Sequence, residues 1–484
     1  MVTVTTAPAL DGLRARSLDA MRRAAPRGAA LLSVGVALPA IDPLDFFARA
    51  GATARDSFYW ERPADGLAFA GAGVAWTVES PSADEAGRRW RALLATAVVD
   101  IPGASPEGGA SDRASDSMAG PLLVGGFAFD PRRPATTPWA GYPAGRLALP
   151  RLTLVTRGGA SILTINAVVS PTVERDIAAA IDAADVVLAS LAAAGLPNAP
   201  IAHNNVTVED VTPRRRWEAL VADGARACRD DGLRKVVLAR AVRARARDAF
   251  DVVAALRYAR EADPNAYTFA VVRGDHAFLG ATPERLVRLC DGVVDVACLA
   301  GSTARGATPA DDMARGGLLL SSAKDRAEHR VVVDAVREAL APLSPDLRVP
   351  AAPRLLRLRD VQHLYTPETG HVAGGTDVLD LVARLHPTPA VGGWPRADAL
   401  AYIRAREGFD RGWYAAPVGW LDRHGEGEFA VALRSVLVRG HEATLFAGCG
   451  IVADSIPAAE YEETRLKLRP MLAALGAREG TVNV

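Results

Sequence analysis

In the stretch ERLVRLCDGVVDVAC, two strand-like runs, 284–290 and 293–298, follow one another with no room for a crossover helix between them. Parallel neighbours need a connection of a dozen residues or more, so short connections of this kind force antiparallel pairing. Apolar runs with β-branched residues predict further strands at 122–129, 152–156, 161–169, 235–243, 267–273, 428–438 and 443–448. Helical periodicity is expected at 172–194 and near 214–230, 321–341, 398–407 and 458–474. The pattern predicts an α+β protein built on antiparallel sheets flanked by helices, not a doubly wound parallel sheet.

Composition sets the outer bounds. A chain of 484 residues with 49% hydrophobic and 23% charged residues has ample material for a large core. Its 56 Lys and Arg balance 56 Asp and Glu, which leaves no global field to hold a nucleic acid. The longest basic cluster, Arg214 to Arg216, reads as solvated surface. Four cysteines (Cys228, Cys290, Cys298, Cys449) show no CxxC or Cys/His ligand spacing, which argues against a disulfide framework or structural zinc and fits a reducing cytoplasm. The apolar stretch from Ala29 to Ile41 is short and interrupted by Pro39, so neither a secretory signal nor a membrane span is expected. No heptad stripe is visible, and a monomer is the default. The segment 102–117, rich in Gly, Ser, Ala and Asp, reads as a mobile surface loop, and 195–213 as a connection. The latter divides the chain into an N-terminal scaffold region, 1–205, and a catalytic region, 206–484.

Chemistry-bearing residues concentrate after that boundary. On a strand from 234 to 240, Lys235 shares a face with Val237 and Ala239, where desolvation would suit it as a general base; the alternative is a lysine snorkelling from a strand end. Glu284, after a Gly-Ala-Thr-Pro turn, could act as a partly desolvated general acid or pair with Arg285. Two acidic helices follow. One is capped by Ser321 or Ser322 and carries Asp325 and Glu328. The other is capped by Ser455, with Pro457 in its first turn, and aligns Glu460, Glu463 and Lys467. Their carboxylates could build an oxygen site for a hard cation such as Mg²⁺, or merely complement helix dipoles and form an i,i+4 pair. LAGSTARG (299–306) and FAGCGIV (446–452) read as small-residue loops whose backbone could approach an anion. Arg434, on one face with Ala430, Ala432 and Val436, needs an anion, either a substrate carboxylate or a buried Asp or Glu. The eight histidines lack zinc-hydrolase spacing, and no GxSxG elbow appears.

In their order along 232–472, the motifs KVVLARAV, FLGATPE, LAGSTARG, AKDRAEH, VQHLYT, LHPTPAVGG, RGWYAAPVGW, AVALRS, AGCGIV and SIPAAEYEETRLK resemble those of the chorismate-utilising enzymes. The resemblance implies a large antiparallel α+β sandwich, Mg²⁺ as cofactor and chorismate as substrate. It implies Lys235 as the base that activates water and Glu284 as the acid that assists departure of the ring hydroxyl. Glu328, Glu460 and Glu463 would form the metal shell with Asp325 behind them. Tyr414 and Arg434, helped by the amides of Gly448 and Gly450, would hold the enolpyruvyl carboxylate. Lys467 would lie near the metal and the ring carboxylate, Gly301 and Ser302 would line the ring pocket, and His363 belongs to the HL motif.

Two positions bear on the branch of the family. Ala390 stands where salicylate and anthranilate synthases usually carry threonine, and Ala300 where aminodeoxychorismate synthases carry a lysine. Both imply an isochorismate synthase feeding menaquinone or siderophore synthesis, with the long N-terminal half favouring the menaquinone type. The alternatives are a salicylate synthase and a non-catalytic or partner-dependent chorismate-binding subunit. A water nucleophile implies no obligatory amidotransferase partner.

Overall fold

The computed structural model describes residues 7–24, 30–102, 120–133, 136–170, 172–193, 205–359 and 361–477. Most of the expected 102–117 loop, and residues 195–204 of the 195–213 connection, lie outside the described residues. Twenty strands join in one hydrogen-bonded sheet, with eleven α-helices packed around it among the described residues. Apart from Leu31–Pro39 against Val98–Asp100, the strand pairs are antiparallel. The stretch that dictated this expectation forms a hairpin with Cys290 opposite Val293. Its two-residue turn, Asp291 and Gly292, has φ of +51° and +70°, the left-handed pair that matches the natural twist of two strands.

The sheet forks at Gly145–Arg157. The first half of this strand pairs with Leu123–Phe127, its second half with Ala160–Val168, and its other edge with Leu67–Glu79 along most of its length. One branch continues through Asp56–Arg62, Tyr267–Arg273, His276–Thr282, Ser435–Arg439 and Glu442–Ile451 to Lys235–Arg245. The other runs through Pro417–Leu421, Gly427–Val431, Arg285–Cys290 and Val293–Ala304 to Val361–His371. Strands from both sides of residue 205 therefore share each branch. Aromatic and aliphatic side chains, Trp60, Phe69, Trp139, Phe278 and Phe429 among them, fill one large core, and a second core lies beneath the N-terminal helices.

Several local expectations are corrected. The strand expected at 428–438 is two, Gly427–Val431 and Ser435–Arg439, because the chain passes from one branch to the other there. Arg434 makes the passage with φ +45°, so the one-face argument for its side chain does not hold. Residues 299–304 and 446–451 are strand, not loop, the first with a bulge at Gly301. Strand His276–Thr282 runs through most of the supposed Gly-Ala-Thr-Pro turn, so only Pro283 and Glu284 connect it to the next. The helix near 321–341 is Ala323–Leu340, capped by Ser322 and preceded by a separate helix, Pro309–Ser321. Ser455 is not a cap: its hydroxyl accepts from the Val452 amide, and helix Pro457–Ala474 begins after Ile456 without a side-chain cap.

Residues before 205 buttress those after it. Trp139 stacks on Phe446 at 5.7 Å, and Phe446 stacks in turn on Tyr414 at 5.1 Å. Gly412 lies so close that a Cβ there would sit 2.0 Å from the Trp139 ring, at φ +51°. Gly412→Ala should cost at least about 2 kcal/mol in a denaturant melt, since it combines a clash with a left-handed backbone. An unchanged midpoint would refute this packing.

Candidate active site

A cavity of about 340 Å³ opens between the far ends of the two branches, closed by helices Ala323–Leu340 and Pro457–Ala474. All fifteen residues singled out from the sequence border it, and each residue of its lining lies at or after Lys235.

Lys235 opens strand Lys235–Arg245, and alternation puts Val237 and Ala239 beside it on the cavity wall. It is 3% exposed, so it does not snorkel but lies desolvated on the face it shares with Val237 and Ala239. Its ammonium donates to Glu328 Oε1 at 2.6 Å. Burial alone would raise the Glu328 carboxyl, but the charge and hydrogen bond of Lys235 hold it below its ordinary value. Gly450, on the neighbouring strand, leaves the room for this pair: a Cβ there would lie 2.6 Å from Lys235 Cε and 3.0 Å from Glu328 Oε1.

Glu284 does not pair with Arg285, whose guanidinium goes to Asp295 at 2.6 Å and Glu428 at 2.8 Å. Burial pushes the Glu284 carboxyl up to about 7, against the opposing pull of Lys235 and Lys467. It can therefore carry a proton near neutral pH.

The acidic set is open. Among the described residues, the one group of three potential ligands whose ligand atoms all lie within 4.8 Å is Cys290, Asp291 and Glu426, in and beside the hairpin turn. Glu328, Glu460, Glu463 and Asp325 instead line the cavity at wider spacing. Burial, and then the neighbouring Glu463, raise the Glu460 carboxyl, which marks repulsion that a cation would relieve. Asp325 accepts from the Ser322 hydroxyl and is fixed at the helix start. An all-oxygen set of this kind fits Mg²⁺, which usually takes one or two carboxylates and fills its octahedron with water and substrate.

The remaining walls suit an anion. Lys467 donates to Glu463 at 2.7 Å, the expected i,i+4 pair, and also to the Gly448 carbonyl at 2.9 Å. Arg434 lies 3.9 Å from Asp263, the ion-pair reading of this arginine, and also lines the cavity. Burial pushes the Tyr414 hydroxyl up to about 12, which leaves it a neutral donor. His363 Nδ1 lies 2.7 Å from Ser302 Oγ, and burial lowers its imidazole to about 3, so it stays neutral. Ala390 contributes only a methyl group to the lining.

This geometry has relatives. The family description "chorismate binding enzyme" matches residues 17–476. The chain belongs to the chorismate-binding enzymes. Similar proteins include the salicylate biosynthesis isochorismate synthase of Pseudomonas aeruginosa, 40% identical over 93% of this chain and 91% of the relative. The isochorismate synthase MenF of Bacillus subtilis is 33% identical over 93% of this chain and 94% of its own length. In structure, the menaquinone-specific isochorismate synthase MenF of Escherichia coli superposes with a TM-score of 0.76 at 27% identity, over 96% of this chain and 99% of that one.

Sequence reasoning misses three residues of this chorismate-binding enzyme. Lys324 and Arg411 line the cavity, and Glu407 pairs with Arg411. Lys324 and Arg411 lie inside or beside the motifs AKDRAEH and RGWYAAPVGW, so their positions are marked, but only the fold turns them inward. No helix among the described residues is long and apolar enough to cross a membrane.

Because the native value of Glu284 is raised from 4.5 to about 7, the stability linked to this group is full below about 4.5 and is lost as pH rises through about 7. Glu284→Gln has no charge to bury. Relative to wild type it should gain on the order of 2–3 kcal/mol at pH 8 over its difference at pH 4, measured by denaturant melts. A pH-independent difference would show that the carboxyl is not desolvated.

Proposed function

We propose that this protein converts chorismate to isochorismate in an Mg²⁺-dependent reaction. The observation that carries the reading is that one cavity joins a buried lysine, Lys235, to a buried carboxyl that holds its proton near neutrality, Glu284. Addition of water at one ring carbon and loss of hydroxyl from another needs such a base and such an acid. The named activities of the relatives support it.

In this mechanism Lys235 takes a proton from the water that attacks C2, the ring double bonds shift, and Glu284 protonates the C4 hydroxyl as it leaves. An ammonium donating to Glu328 has no lone pair to offer, so that contact must loosen before the water is activated. Mg²⁺, held by Glu328, Glu460 and Glu463 with Asp325 behind them, would anchor the ring carboxylate and neutralise charge in the conjugated system. Tyr414 and Arg434 would grip the enolpyruvyl carboxylate, so that orientation lowers the barrier. With only a methyl group at Ala390, nothing there assists expulsion of pyruvate, so isochorismate is the final product rather than salicylate. The same product serves menaquinone or siderophore synthesis, according to the enzyme that takes it next.

Purified protein incubated with chorismate and Mg²⁺ should yield isochorismate on chromatography, with neither salicylate nor pyruvate, and EDTA should abolish turnover. Lys235→Ala should lose on the order of 10²-fold or more in kcat with a small change in KM. Salicylate with equimolar pyruvate would move the protein to the lyase branch, and near-normal turnover of Lys235→Ala would remove it as the base.

A further inference from the structure

Strand Lys235–Arg245 has a full partner on one edge only. Glu442–Ile451 pairs with it from Val236 to Arg245. On the other edge, Gly393–Trp394 covers its start and Thr207–Asp210 its end, from Val242 onward. The Val237 amide still reaches the Gly392 carbonyl, and the Ala241 carbonyl accepts from Val211. Between them the Val237 carbonyl and the Ala239 amide face no strand, and these are the two residues that share the cavity wall with Lys235. Unpaired backbone groups are costly when buried.

A side-chain pair fills the gap. Arg411 Nη2 donates to the Val237 carbonyl at 2.7 Å, and Glu407 Oε2 accepts from the Ala239 amide at 3.1 Å. The two are locked to each other through Arg411 Nε to Glu407 Oε1 at 2.7 Å and Nη2 to Oε2 at 2.5 Å. The remaining arm, Nη1, donates to the Val391 carbonyl at 3.0 Å, next to Ala390. The Arg411 carbonyl accepts the Tyr414 amide at 2.9 Å, and Phe129 covers the guanidinium at 4.1 Å. Both side chains are nearly inaccessible, at 3% and 0%. One planar fork thus ties together the Lys235 strand, the segment carrying Ala390 and the turn carrying Tyr414.

We propose that Glu407 and Arg411 act as a substitute strand whose function is to position Lys235 for proton transfer, a role that rests on the activity proposed above. They are positioning residues, since the backbone they hold, rather than their own atoms, sets the base against the substrate. A planar guanidinium can serve three oxygens at fixed angles, and a lysine cannot. Exchange of the two charges for apolar residues of similar volume can be tolerated by a fold, so the cost peculiar to this pair lies in the backbone groups it satisfies.

The test is the double variant Glu407→Leu/Arg411→Met, assayed beside wild type and Arg411→Lys. The double variant leaves the Val237 and Val391 carbonyls and the Ala239 amide without these partners, so it should fold with a lowered melting temperature. Its kcat should fall on the order of 10- to 100-fold while KM for chorismate changes less than about threefold. Backbone amides in the 236–241 peptide should exchange with deuterium faster than in wild type. Arg411→Lys should show the same kcat-selective loss, and it carries the test if the double variant does not fold. A folded variant with kcat within about twofold of wild type would overturn the proposal, as would a loss confined to KM. Should wild type itself fail to turn over chorismate, the proposed activity falls, and the exchange measurement alone decides whether the pair completes the strand.

Discussion

A β-strand has two edges, and Gly145–Arg157 uses its two to hold three partners. That division forces the sheet into two branches, and the branches turn the chain into a layered body with a seam. The core aromatics fill the interior near the fork. At the far ends, where Lys235–Arg245 closes one branch and Val293–Ala304 lies near the end of the other, small residues replace large ones, as in the alanine- and glycine-bearing runs at 299–301 and 447–450. The cavity follows from this arrangement: two sheets that are joined at one end cannot also be packed tight at the other without side chains to fill the space.

Charge governs the interior of that space. Lys235 is paired with Glu328, Lys467 with Glu463, Arg411 with Glu407 and Arg434 loosely with Asp263. The acids Glu284 and Glu460 are instead raised by burial. Each of these cations thus faces a carboxylate, which offsets the cost of burying the charge. The contrast between Glu328, lowered by an adjacent cation, and Glu284, raised by desolvation, lets two carboxyls in one cavity carry different proton loads at the same pH.

The antiparallel class was legible from short connections alone, because strand spacing excludes crossovers. The site residues were legible because their motifs are local and ordered, although the roles proposed for them come from resemblance and not from spacing. What the sequence hid is non-local. Nothing in EFAVALRSVLV announces that the strand changes branch at Arg434, since either half alternates normally. Small residues at 299–302 and 446–450 read as loop by composition, yet ladder pairing with neighbours more than sixty residues away in each case makes them strand. Glu407 and Arg411 look like an ordinary i,i+4 surface pair, and only a gap in a distant strand edge explains their burial. The Lys235–Glu328 contact spans 93 positions and could not be inferred from either end.

Arg434 carries the junction between branches on a backbone of φ +45°, a conformation uncommon for residues with a Cβ and one that glycine adopts freely. The same position presents the guanidinium to the cavity. Under the proposed function, thermal robustness and catalytic competence therefore select opposite residues at a single site. A population screened only for heat resistance would drift there toward the smaller side chain and remove the guanidinium from the cavity wall, whereas one screened for the proposed turnover would retain the strained arginine.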